Sequence, residues 1–130
     1  MLFRSHSDGD VLIHALCDAL LGAAGLRDIG VYFPDNDPKL NGIDSKLLLV
    51  RVVEIIKEKG FKIGNIDSTI ALQQPKIKDH IAEMIKSLAK VMEVDQEIIS
   101  IKATTTERLG FVGREEGIEA YAVVLIYKAE

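Results

Sequence analysis

The chain has 130 residues, a net charge of −4 and 48% hydrophobic residues, the profile of one folded domain rather than a disordered chain. A pI near 5.4 leaves no broadly basic face and disfavours general nucleic-acid binding. The single cysteine, Cys17, excludes an intramolecular disulfide, no apolar run approaches the ~20 residues of a membrane span, and 5% aromatics without Trp offer no stacking platform for single strands or sugars.

Met1 to Arg4 lead directly into His6-Ser7-Asp8-Gly9-Asp10, so no signal peptide is expected. A first helix is expected from about Asp10 to Ala24, capped by Ser7 or Asp8 and stopped by Gly25. Nearly every position from Val11 to Ala24 is apolar except His14 and Asp18. Asp10, His14 and Asp18 are four apart and share one stripe of that helix. Such a stripe can ligate a metal, pair for proton transfer, or make an internal hydrogen bond, and spacing alone does not choose.

Residues 28–42 hold Gly30, Pro34, Asn36, Pro38, Asn41 and Gly42 and are expected to form a long loop. A second helix, Ser45 to Lys59, should be capped by Asp44 and stopped by Gly60, with Leu47, Leu48, Val52, Ile55 and Ile56 on its apolar face. A strand follows from Phe61 to Gln73. Phe61 and Ile63 alternate with Lys62, the alternation slips at Gly64-Asn65, and it resumes through Ile66, Ser68, Ile70 and Leu72. The slip predicts a bulge.

Pro75 ends that strand, and a third helix is expected from about Ile77 to Met92, with His80 as a solvated surface residue beside Lys78, Asp79 and Glu83. Ile98 to Thr104 and Ile118 to Tyr127 read as strands by β-branched content. The elements predict an α+β fold, a small mixed β-sheet covered on one face by helices.

Two further segments concentrate polar groups. Lys102-Ala103-Thr104-Thr105-Thr106-Glu107-Arg108 ends a strand and precedes Gly110 and Gly113. Hydroxyls and free backbone N–H groups suit phosphate oxygens, and a carboxylate can hold a magnesium ion on them. Thr104 and Glu107 also match a capping box. Gln73-Gln74-Pro75-Lys76 joins a strand to a helix and could seat a phosphate or a base edge, or be an ordinary connection. Lys76, Lys102, Arg108 and Arg114 are the candidate local cations for a phosphate site. No Walker motif, dinucleotide fingerprint or Cys-x-x-Cys pair is present.

Taken together these segments resemble the 2-C-methyl-D-erythritol 2,4-cyclodiphosphate synthase family over nearly the whole chain. The matching stretches are His6 to Asp10, His14 to Ala23, Asp28 to Gly30, Phe33 to Asp37, Asp44-Ser45, Pro75-Lys76, Lys102 to Glu107, Leu109 to Phe111 and Gly113-Arg114. The resemblance implies a CMP-releasing cyclisation of 4-diphosphocytidyl-2-C-methyl-D-erythritol 2-phosphate in non-mevalonate isoprenoid biosynthesis. It implies a homotrimer with active sites between subunits, no nucleic-acid or membrane partner, and a bacterial cytoplasmic or plastid-stromal location.

It also implies zinc or another divalent transition metal, and magnesium or manganese. Carried over by motif, His14 looks like a zinc ligand and Glu107 like the carboxylate on the second metal. His6 and Thr105 resemble the pair that stabilises the transition state, and Ser7 resembles a phosphate contact. Asp28, Ile29 and Gly30, with Phe33, Pro34, Asp35, Asn36 and Asp37, resemble the segments around the methylerythritol end. Leu72, Gln73, Gln74, Pro75, Lys76, Ile77 and Lys78 resemble the cytidine pocket. Thr104 and Thr106 would meet the diphosphate, and Phe111 and Arg114 resemble further ligand contacts.

The family's other two zinc ligands come from an Asp-x-His motif on an N-terminal strand that precedes the position of Met1. The expectation is therefore a single cyclodiphosphate synthase domain, 1–130, without that strand, binding zinc weakly and turning over slowly. The alternative is an impaired fragment that keeps the cytidine and phosphate pockets.

Overall fold

A strand with a break in its pleat organises the chain. β1 (Phe61–Ala71) pairs in parallel with β2 (Ile99–Thr104) and antiparallel with β3 (Glu119–Lys128), giving the sheet order β2-β1-β3. The structure, a computed structural model, describes residues 2–33, 44–72, 77–105, 109–110 and 118–129, with side chains from Gly9 onward.

The bulge falls where the alternation slips. Ile63 lies opposite Ile126 and Asn65 opposite Leu125, so Gly64 is the extra residue. A Cβ at Gly64 would come within 3.2 Å of the Leu125 carbonyl oxygen and 3.4 Å of the Tyr127 ring, which is why the close approach suits glycine. Ahead of the bulge Phe61 and Ile63 pack on the core, and beyond it Ile66, Ser68 and Ile70 are buried. Buried Ser68 donates its hydroxyl proton to the Ser100 carbonyl at 2.8 Å, so its polar group is satisfied. β1 closes at Ala71, short of the expected Gln73, although the Leu72 N–H still donates to the Thr104 carbonyl at 2.9 Å.

The helices are α1 (Leu2–Ala23), α2 (Ile29–Tyr32), α3 (Ser45–Glu58) and α4 (Ile81–Met92). α1 begins eight residues before the expected Asp10, so Ser7 and Asp8 lie within it instead of capping it. Extending an existing helix costs little per residue, and Gly9 alone, at about 1 kcal/mol, does not stop one. Its C-terminus closes as expected on Gly25, at φ +76°, with Leu26 N–H donating to the Leu21 carbonyl at 2.8 Å and Gly25 N–H to the Gly22 carbonyl at 3.0 Å. α2 was not anticipated; it sits at the start of the stretch expected to be loop throughout.

In α3 the Asp44 carboxylate accepts from the Lys46 N–H at 2.8 Å, and Gly60 follows at φ +90°, as the cap and stop predict. The buried set is Ser45, Leu48, Leu49, Val52, Val53 and Ile56, with Ser45, Leu49, Val52 and Ile56 in a 4-3-4 spacing. Leu47 falls outside it, 57% exposed, against expectation. α4 is entered through a 3-10 turn, Lys78–His80, rather than starting at Ile77, and a second such turn, Gln96–Ile98, moves the start of β2 to Ile99.

The helices cover one face of the sheet. Leu12, Leu16 and Leu20 of α1 meet Leu49, Val52 and Ile56 of α3, Met92 of α4, and Ile66 and Ile70 of β1 in one core. The other face of β3 carries Tyr121, Val123, Leu125 and Tyr127, each between 52% and 72% exposed. No described helix is long and apolar enough to cross a membrane.

Cys17 is fully buried in this core. Burial, with the Asp18 charge adding to it, pushes its thiol up to about 12. At pH 8 only about one such thiol in ten thousand is ionised, and the thiolate is the reactive form. We expect no modification of Cys17 by a thiol-directed reagent at pH 8 within the time that fully labels the urea-unfolded chain.

Candidate active site

The parallel register of β1 and β2 determines what can meet. Ala71 lies opposite Thr104, so the two strands open at the same end of the sheet. The segments following them, 72–78 and 104–107, start side by side. β3 enters at that end too, with Glu119 opposite Ala71. Phe111 and Arg114 precede β3 in the chain and lie outside the described residues. Loops beyond the carboxyl ends of parallel strands are where ligands bind in many sheets of this kind.

Leu72 and Ile77 bury their side chains in the core. They hold the residues on either side of the 73–76 segment against the core. Gln73, Gln74, Pro75 and Lys76 lie outside the described residues, and Lys78 is exposed on the 3-10 turn. Thr104 and Thr105 are exposed, and the Thr104 hydroxyl donates to the Thr105 carbonyl at 3.1 Å. Thr106 and Glu107 lie outside the described residues. Lys102, a candidate phosphate cation, pairs instead with Asp67 at 2.9 Å on the neighbouring strand. Both side chains of that pair are more than half exposed, so its energy is small.

The α1 stripe resolves in part. His14 and Asp18 are exposed and Asp10 is half-buried. The Asp18 carboxylate accepts from the Ile29 N–H at 2.9 Å, which realises the internal hydrogen bond among the three readings of the stripe. Among the described residues no three His, Cys, Asp or Glu side chains converge where a metal ion could sit. The described side chains therefore do not form a metal shell by themselves. His6 and Ser7 lie in the early turns of α1, and their side chains are not among those described.

Asp28, Ile29 and Gly30 sit at the start of α2. Asp28 and Gly30 are exposed, whereas Ile29 and Phe33 pack on the core and hold the segment down. Pro34, Asp35, Asn36 and Asp37 lie outside the described residues. His80 is half-buried rather than solvated. It lines a cavity of about 360 Å³ with Asp10, Asp44, Lys46 and Glu83, between α1, α3 and the α4 entry. The sequence signal for that cavity was only the Asp10 end of the stripe.

Residues 1–127 match the model of the YgbB family. The chain belongs to this family. The 2-C-methyl-D-erythritol 2,4-cyclodiphosphate synthase of Porphyromonas gingivalis (strain W83) is 62% identical over 126 residues, spanning 97% of this chain and 78% of that protein. The synthase of the same name from Bacteroides fragilis (strain ATCC 25285) is 64% identical over 121 residues, 93% of this chain and 76% of that protein. Solved structures agree on the α+β fold. The bifunctional IspDF from Campylobacter jejuni superposes with a TM-score of 0.89 at 42% identity, covering 92% of this chain and 32% of that one. A cyclodiphosphate synthase solved in a CDP-bound form gives a TM-score of 0.80 at 35% identity, covering 88% of this chain and 74% of that one. The family match runs through the α1 stripe, the 28–30 segment and both segments at the strand ends.

Proposed function

We propose that the chain is a phosphorus–oxygen lyase that converts 4-diphosphocytidyl-2-C-methyl-D-erythritol 2-phosphate into 2-C-methyl-D-erythritol 2,4-cyclodiphosphate and CMP. The observation that carries this reading is the 62% identity to the Porphyromonas gingivalis synthase over 97% of this chain. The Ala71–Thr104 pairing, which starts segments 72–78 and 104–107 at one end of the sheet, supports a shared pocket there.

In this reading an oxygen of the 2-phosphate attacks the β-phosphorus in line. The new P–O bond closes the ring, the bond from the β-phosphorus to the bridging oxygen breaks, and CMP leaves with that oxygen. Such a step needs two anions held together in alignment more than it needs a strong base. The 72–78 segment would hold the cytidine end, with Leu72 and Ile77 contributing backbone. Thr104 and Thr106 would receive the diphosphate, His6 and Thr105 would stabilise charge on the transferring phosphorus, and Ser7 would contact phosphate. Asp28 to Gly30 and Phe33 to Asp37 would enclose the methylerythritol end, with Phe111 and Arg114 as further contacts.

His14 would serve as a zinc ligand, and Glu107 would hold magnesium or manganese. Bound there, such ions would neutralise phosphate charge and align the two phosphates. The exposed face of β3, with four large side chains that favour being covered, supports association with further copies, which the family resemblance makes a homotrimer.

The test is incubation of the 130-residue chain with the substrate, magnesium and zinc, followed by phosphorus NMR and nucleotide chromatography. CMP and cyclic diphosphate formed one to one are the expected result. Hydrolysis to a linear product, or CDP binding without CMP release, would overturn the reading.

A further inference from the structure

We propose that Asp18 is a positioning residue for the 28–30 substrate segment, holding it by capping α2 from the neighbouring helix. The proposal rests on the cyclisation reading above and assigns a role that composition and motif left open.

The geometry begins with the turn. Gly25 has φ +76° and Arg27 has φ +75°. Gly25 takes such a φ at no steric cost, but Arg27 is strained there and stays only if its surroundings hold it. The chain then reaches Asp28, extended at φ −149° and ψ 177°, which is the N-cap residue of α2. An N-cap aspartate ordinarily turns its own carboxylate onto the free N–H groups of the first turn. Asp28 makes no such bond. The first N–H of α2, that of Ile29, donates at 2.9 Å to the carboxylate of Asp18, eleven residues earlier on α1.

Two further features bear on the segment. First, the Asp28 carboxylate makes no cap bond of its own. Its Oδ1 lies 3.4 Å from where a Gly30 Cβ would stand, so it rests over Gly30 at an exposed position. A carboxylate over a glycine backbone suits a ligand bearing hydroxyl groups, which can donate to the acid while the backbone approaches closely. Second, Asp18 stands one turn from His14 on the same face of α1. One rigid helix therefore fixes the distance between the His14 imidazole and the 28–30 segment.

The test compares the parent chain with Asp18→Ala and Asp18→Asn. Turnover and hydrogen exchange at the Ile29 amide are both measured. In Asp18→Ala the Ile29 amide should lose protection and KM should rise about tenfold, the size of one charge-assisted hydrogen bond, with kcat within about twofold. Asp18→Asn keeps an oxygen acceptor and should restore KM to within about threefold of the parent.

Three outcomes would overturn the role: Asp18→Ala losing Ile29 protection with KM unchanged, kcat falling while KM holds, or Asp18→Asn being as impaired as Asp18→Ala. If Asp18→Ala melts early, Asp18→Ser, too short to reach Ile29, carries the same expectations. Turnover by the parent chain tests the cyclisation separately. If the parent releases no CMP, both readings fall together; if it does, the variants alone decide the role of Asp18.

Discussion

On the zinc role proposed for His14, its replacement by alanine is expected to cut CMP release by at least about 100-fold, because a ligand to an ion that neutralises phosphate is worth several kcal/mol in the transition state. The same substitution should move the melting temperature by less than about 2 °C, since the removed side chain is exposed and surface changes rarely exceed ~0.5 kcal/mol. The pairing of a large kinetic effect with a null thermal one is the signature sought. Zinc content measured by atomic absorption on both proteins gives the cause. Unchanged turnover, or turnover lost together with the fold, would remove His14 from the site.

The second large effect is structural. Ile70 is fully buried on β1, the strand that both β2 and β3 pair with. Truncation to alanine removes three carbons from the junction of sheet and helices, and such cavities cost about 2–5 kcal/mol. At ~3 kcal/mol the melting temperature should fall by roughly 10 °C in a domain of this size. Residues 71 and 104 sit one step along the ladder from this position, so Ile70→Ala should also slow the proposed CMP release at temperatures where the chain is still folded. A fall of less than about 3 °C would mean that the core closes over the gap.

Much of the frame was legible because it rests on local chemistry. Asp44 and Gly60 bracket α3 through a cap bond and a positive φ, both properties of single residues. The Gly64-Asn65 slip was readable because pleat alternation has a strict period of two. What was not legible depends on distant partners. The α1 start carries no signal that distinguishes a cap from an interior position, because Ser7 and Asp8 suit the first and tolerate the second. Leu47 is as apolar as Leu48, and only the direction of the neighbouring helix decides which of the two is buried. α2 has four residues, too few for any periodicity to show. Lys102 looked available to phosphate because nothing local announces Asp67, its partner across the sheet.

The site followed the same division. The segments at the ends of β1 and β2 could be named from their residue types, but their adjacency comes from a parallel register of strands about thirty residues apart. The stripe on α1 was visible, whereas its engagement with Ile29 needed the turn at Gly25 to fold the chain back. His80 was mistaken for a surface residue because its own helix is polar nearby; Asp44 and Lys46, which share its cavity, come from a different helix.

The glycine bulge in β1 also acts as a frame marker. Core-facing positions carry odd numbers before it and even numbers after it, while β3 keeps a single parity from Ala120 to Ile126. Gly64 is the extra residue, so its loss alone would leave Ile63 opposite Ile126 and Asn65 opposite Leu125 in regular alternation, whereas losing a residue elsewhere in β1 would exchange the two faces of everything on one side of the loss. This stretch can therefore absorb changes of letter far more readily than changes of length. Sequence drift in β1 should be confined to substitutions, with gaps between Phe61 and Ala71 tolerated at Gly64 alone.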